Sequence, residues 1–330
     1  MEFNNIINKC KFILNDVIDK YQFKEEPAFK LNNDIIQLTV SRFYPKDLKS
    51  EIMTKFNKVK KFTFKYKNNI IHLYYVFDIN IDNDLMFGMM EKALAYCNYF
   101  KKNSKLDLYF IPHEHEKTMD NRNIIDHNNV NSGFTAWMRN GYNYITIFRK
   151  EECEKVLLHE LTHYLEIDFC KHKDIFDELN DKFVNDYAVD TSYNNINVFE
   201  AYTDFTAIMF NYIFNSIMKN QNLEKSIANE IKYQKYIIHK LMNKFRVKHP
   251  LNELNNGNKI NQNTNVASYY VLKYALTKNY KSMLNKYKPG DKWNRFKILE
   301  FYDDIKSYLH TEKFSPMKNY SDLSLKMSLS

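Results

Sequence analysis

Apolar residues in this chain recur with two different periods, and the dominant period changes once, near Glu151. Before that point, β-prone runs rich in Ile, Val, Tyr and Phe predict extended segments at 35–43, 62–77, 106–111, 134–138 and 142–148. Asn68-Asn69 and Asn140-Gly141 supply the hairpin turns between them. Helical spacing occurs early only at 2–20 and 84–100. After Glu151 it dominates: 151–167, 174–187, 197–218, 223–246, 264–278 and 294–309 all read as helix. Strands early and helices late predict an α+β layout. We divide the chain into an α+β region at 1–100, a core at 101–220 and a mainly helical C-terminal lobe at 221–330. Residues 112–132 read as a polar loop, the Asn-rich stretch 247–263 as a linker, and the Ser- and Lys-rich tail 311–330 as loosely packed.

Composition narrows the functional classes. The chain has 330 residues, enough to bury a sizeable core without disulfide or metal staples. With 5 Gly and 6 Pro it is neither collagen-like nor linker-rich, and 16% aromatic content excludes a disordered chain. No apolar stretch approaches the roughly 18–20 residues that span a bilayer, so no membrane role is expected. The formal charge of +8 invites a nucleic-acid reading, but six Arg stand against 42 Lys. Arg is the residue favoured for bidentate phosphate and base recognition, and Lys, Asn, Ile, Tyr and Phe are enriched together as AT-rich codons would make them. The basicity therefore argues weakly for a nucleic-acid partner. The first residues lack the basic and apolar regions of a secretory signal, and Cys10, Cys97, Cys153 and Cys170 form no CxxC pair. These features predict free thiols in a reducing compartment, the cytoplasm.

The chemistry concentrates in Lys155-Val-Leu-Leu-His159-Glu160-Leu-Thr-His163. Residues four apart share a helix face, so His159 and His163 can present imidazoles to one ion, with Glu160 beside them as a base toward water. A catalytic zinc needs a third protein ligand and an open position. Glu166 and Asp168 are too close in sequence to His163 to close a tetrahedron comfortably. Downstream, Phe199-Glu200-Ala201-Tyr202-Thr203-Asp204 interrupts an apolar helix with two acids one turn apart. Glu200 can ligate the ion, while Asp204 can accept the other ring N–H of a ligand histidine.

These motifs resemble the gluzincin, thermolysin-like zinc metallopeptidases. The resemblance covers His159–His163, Glu200–Asp204 and, upstream, Asn131-Ser132-Gly133-Phe134-Thr135-Ala136-Trp137, within about residues 106–215. It implies a zincin-like core, one Zn2+ per chain held by His159, His163 and Glu200, Glu160 as general base, and Asp204 supporting a ligand. It also implies that Gly133, Phe134, Thr135, Ala136 and Trp137 form an edge strand that pairs with an extended peptide or protein substrate. The family uses a Tyr or His well past the third ligand to stabilise the developing oxyanion, and Tyr269 and Tyr270 are the candidates here.

Other histidines are read structurally. His113-Glu114-His115-Glu116 reads as solvated loop, His172 between two lysines as exposed, and His239 as a packed helix residue. The alternative to a peptidase is a catalytically inactive zincin-like scaffold that binds a protein or nucleic-acid partner. An intact Glu160 argues against it, since a structural metal site has no use for a base.

Overall fold

The computed structural model describes residues 2–39, 41, 43–137, 143–190, 196–314 and 324–329. Helix α1 (Glu2–Lys20) buries Phe3, Ile6, Cys10, Ile13, Leu14 and Val17, the stripe its spacing predicts. Short strands β1 (Gln22–Glu25) and β2 (Phe29–Lys30) follow. The run at 35–43 is not extended as expected: its described part is helix α2 (Asn33–Thr39). The Asn32 side chain accepts the Ile35 N–H at 3.0 Å, capping a first turn that contains Asp34, and this overrides the β-prone isoleucines. Helix α3 (Lys46–Lys55) comes next.

Strands β3 (Lys58–Tyr66) and β4 (Asn69–Phe77) form the expected hairpin, turning at Lys67-Asn68 with Lys67 in the left-handed region. Helix α4 (Asn83–Tyr99) then carries the chain over to β5 (Lys105–Phe110), which lies parallel to β4. The 112–132 loop contains a one-turn helix, α5 (His127–Val130). Strands β6 (Gly133–Trp137) and β7 (Asn143–Ile147) pair antiparallel, and the Asn140-Gly141 turn expected between them lies outside the described residues. The sheet order is β1-β3-β4-β5-β7-β6, with β2 beside β3. Among the described residues β6 therefore forms one edge of a mixed sheet.

Side-chain alternation divides this sheet into two faces. Phe62, Phe64, Ile71, Leu73, Leu108 and Ile145 point to the main core against α1, α4 and α6 (Cys153–Tyr164). Val59, Val76, Tyr109 and Phe134 point the other way and are covered by Ile35, Leu48 and Ile52 of α2 and α3. The remainder is mainly helical: α7 (Phe176–Asp186), α8 (Val198–Met218), α9 (Leu223–Phe245), α10 (Lys273–Lys278), α11 (Tyr280–Lys286) and α12 (Arg295–His310). A π-helical turn, Ala267–Leu272, leads into α10. The architecture is thus mixed α+β.

One buried apolar cluster includes residues from Phe3 to Met327, so packing is continuous across positions 100 and 220. The stretch 247–263 is no loose linker: Leu251, Ile260 and Gln262 are buried, and β8 (Val189–Asp190) pairs parallel with β9 (Ile260–Asn261). The described end of the tail is likewise packed, with Leu325 and Ser328 fully buried. Long-range backbone pairing, invisible in local composition, accounts for both differences. No described helix is long and apolar enough to cross a membrane.

Candidate metal centre

Helix α6 buries Val156, Leu157, Leu158 and Leu161 and packs against α8. That fixes the rotation of α6 and presents His159 and His163, one turn apart, to the first turn of α8, where Glu200 stands. His159 Nε2 and His163 Nε2 are 3.2 Å apart, and Glu200 Oε2 lies 3.1 Å from the first and 3.4 Å from the second. Ligand atoms about 2.0–2.1 Å from a tetrahedral ion stand about 3.3–3.4 Å from one another. The three atoms therefore occupy one face of such a tetrahedron.

The other ring nitrogens determine what these atoms can do. His159 Nδ1 donates to Asp204 Oδ1 at 3.1 Å, and His163 Nδ1 donates to Asp168 Oδ2. With both Nδ1 protons so used, two Nε2 lone pairs and a carboxylate oxygen face a common point. Three acceptors without a donor suit a cation. Without an ion, the same cluster draws protons instead. Burial disfavours ionisation of Glu200, yet His163 and His159 draw its pKa down to about 2. Burial also disfavours charged imidazoles, but Asp204 and Glu200 raise the His159 pKa, and Asp168 and Glu200 raise that of His163. The residues present fit a divalent metal ion with nitrogen and oxygen preferences.

Asp168 is the residue that sequence reasoning set aside. After α6, Glu166 adopts φ 54° and the Ile167 N–H returns to the Thr162 carbonyl at 3.0 Å. This reversal brings Asp168 back to His163, where Thr203 Oγ1 (2.9 Å) and the Cys170 N–H (3.2 Å) hold it. His163, Asp168 and Cys170 also form a second group of metal-ligating types within 4.8 Å of one another. Two lysines were missed as well: Lys155 and Lys273, both buried, ion-pair with Asp204 at 2.6 and 2.8 Å.

Glu160 faces strand β6, where Thr135 Oγ1 donates to its Oε2 at 2.8 Å and lies 3.0 Å from its carbonyl oxygen. Gly133 permits this close approach: a Cβ there would sit 3.0 Å from Val156 Cγ1 and from the Thr146 carbonyl. Thr135 and Trp137 line a cavity of about 1120 Å³ together with His159, Glu160, His163, Glu200 and Tyr269. Phe134 and Ala136 pack on the opposite sheet face, although Gly133 and Phe134 also border the cavity. Trp137 is 52% exposed, with its ring 6.3 Å from that of His163. Phe199 and Phe176, stacked at 5.5 Å, form the cavity wall beyond His163.

The two tyrosine candidates separate. Tyr269 lies in the cavity with its hydroxyl 3.5 Å from Glu200 Oε2. Burial, then the charges of Glu200 and Glu160, raise its pKa far above the ordinary phenol value, so it is a neutral donor. Tyr270 is not at the site: its hydroxyl donates to the Leu325 carbonyl at 2.5 Å. Successive side chains on a helical turn point in different directions, and here Tyr269 faces Glu200 while Tyr270 faces Leu325.

His113 also departs from expectation. It is fully buried, with Nε2 2.7 Å from the Tyr44 hydroxyl and Nδ1 3.3 Å from Glu51, while His115 meets the same carboxylate at 2.5 Å. His172 is half-buried, and His239 packs against Phe314 as a core histidine.

No protein-family model, curated protein or solved structure matches the chain. The functional reading therefore stands on the geometry of the site.

Proposed function

We propose that this chain is a zinc-dependent peptidase with a zincin-like core, acting in the cytoplasm. The observation that carries the reading is the convergence of His159 Nε2, His163 Nε2 and Glu200 Oε2 on one point, with Glu160 beside it along an open sheet edge. Two imidazoles and one carboxylate at tetrahedral spacing favour zinc over the oxygen-seeking cations. When bound there, zinc supplies Lewis-acid polarisation of the scissile carbonyl and makes water more acidic.

The chain's own residues do the rest. Glu160 takes the proton from the attacking water and passes it to the leaving amine, with Thr135 holding one carboxylate oxygen in place. The neutral Tyr269 hydroxyl, 3.5 Å from Glu200 Oε2, would give a hydrogen bond to the carbonyl oxygen as that oxygen gains charge, keeping its own proton. Strand β6, a sheet edge among the described residues, would pair with an extended peptide through its backbone, and such pairing is indifferent to sequence. Selectivity then falls to pockets. The aromatic wall of Phe176 and Phe199 favours a large apolar or aromatic side chain next to the cleaved bond.

The test is a peptide library incubated with zinc-loaded protein and read by mass spectrometry. Cleavage should stop with chelator and in Glu160→Gln, which keeps the metal ligands. Cleavage that survives either treatment would contradict the mechanism.

A further inference from the structure

The rear of helix α6 is closed by chain that is distant in sequence. Segment 324–329 lies along Lys117, Glu152, α9 and α10, held through its backbone. The Leu325 N–H donates to the Lys117 carbonyl (2.7 Å), and the Met327 N–H donates to Glu152 Oε2 (3.0 Å). The Met327 carbonyl accepts from Lys273 Nζ at 2.7 Å, and the buried Met327 sulfur lies 3.7 Å from Lys155 Nζ. Both lysines also ion-pair with Asp204, which in turn accepts from His159 Nδ1.

We propose that segment 324–329 is a positioning strap for the metal centre, acting through Lys155 and Lys273 on Asp204 and so on His159. The physical argument is one of satisfaction and stiffness. A buried ammonium needs partners for its three N–H donors, and a lysine stem has four flexible bonds with which to seek them. Without the Met327 carbonyl, Lys273 must find another acceptor, and Asp204 loses a fixed partner. The sulfur and side chain of Met327 confine Lys155 in the same way. Two cations then hold one carboxylate in a single orientation, and that orientation sets the ring plane of His159. The inference rests on the reading that His159 is a metal ligand.

The experiment measures zinc affinity by chelator competition for the full chain, for a chain ending at residue 323, and for Lys273→Met. Each is made with Asp204 intact and as Asp204→Asn. With Asp204 intact, truncation and Lys273→Met should each weaken zinc binding about 10–100-fold, the usual cost of disturbing a ligand's support. In the Asp204→Asn background neither should weaken it further, because the route to His159 is already cut. A synthetic peptide of residues 324–330 should restore affinity to the truncated chain. Wild-type affinity in a folded truncated chain, or losses that add to those of Asp204→Asn, would overturn the strap. Should the truncated chain fail to fold, Lys273→Met and its double variant decide the matter alone. A full chain that holds no zinc would overturn the metal reading and the strap with it.

Discussion

His159 and His163 share a helix and a partner in Glu200, but their rear supports differ. Behind His159, Asp204 is fully buried between two ammonium groups. Behind His163, Asp168 is held by the Thr203 hydroxyl of α8 and the Cys170 backbone N–H. One support is an ion cluster that the surrounding helices must bring together. The other is a turn just after α6, braced by a neutral hydroxyl from α8. The difference teaches that ligand orientation can be secured by long-range charge or by short-range hydrogen bonds, with different consequences for stability.

The largest effect should come from removing a ligand outright. His163→Ala should abolish stoichiometric zinc, and Glu200→Gln should come close to doing so, both read by metal analysis of purified protein. Zinc retained at one per chain in His163→Ala would place the ion elsewhere.

The comparison itself is sharpened by its two aspartates. Asp204→Asn leaves two buried ammoniums without an anion and should cost roughly 3–5 kcal/mol of stability, as broken buried pairs do. Asp168→Asn removes one charge-assisted bond and should cost about 1–3 kcal/mol. Both should retain zinc, weakened about 10–100-fold. Denaturant unfolding of the metal-free variants measures the stability difference, and equal losses would erase the distinction drawn here.

Sequence legibility follows the same division. Helices α6 and α8, their ligand faces and the β6–β7 pair were readable because apolar spacing and i,i+4 placement are local properties. Asp168 was not, because its approach to His163 depends on a left-handed residue at Glu166 that composition does not signal. Lys155 and Lys273 meet Asp204, and segment 324–329 meets those lysines, across long sequence separations that no window of residues reveals. Helix α2 was misread because one asparagine cap outweighed a short β-prone run.

A smaller effect should separate the adjacent tyrosines. Tyr269→Phe should lower kcat about 10²-fold with little change in metal content, whereas Tyr270→Phe should cost about 1 kcal/mol of stability and leave kcat near wild type. Steady-state kinetics on a library-derived peptide checks both.

The smallest effect concerns a buried imidazole away from the site. Burial pushes the His113 pKa down to about 4, against the upward pull of Glu51. The unfolded chain, with an ordinary histidine near 6.5, then binds more protons than the fold between those values, so acidification from 6.5 toward 4 destabilises the protein. His113→Gln should flatten this slope by up to about 1 kcal/mol per pH unit. Thermal unfolding across that pH range, compared with wild type, gives the result.

The central claim is that His159, His163 and Glu200 hold one zinc. X-ray absorption at the zinc edge of the stoichiometrically loaded protein tests it most directly. The account predicts a first shell of nitrogen and oxygen at about 2.0–2.1 Å, with imidazole outer-shell scattering from two histidines. A sulfur contribution near 2.3 Å would contradict it and move the ion to the neighbouring His163, Asp168 and Cys170 group.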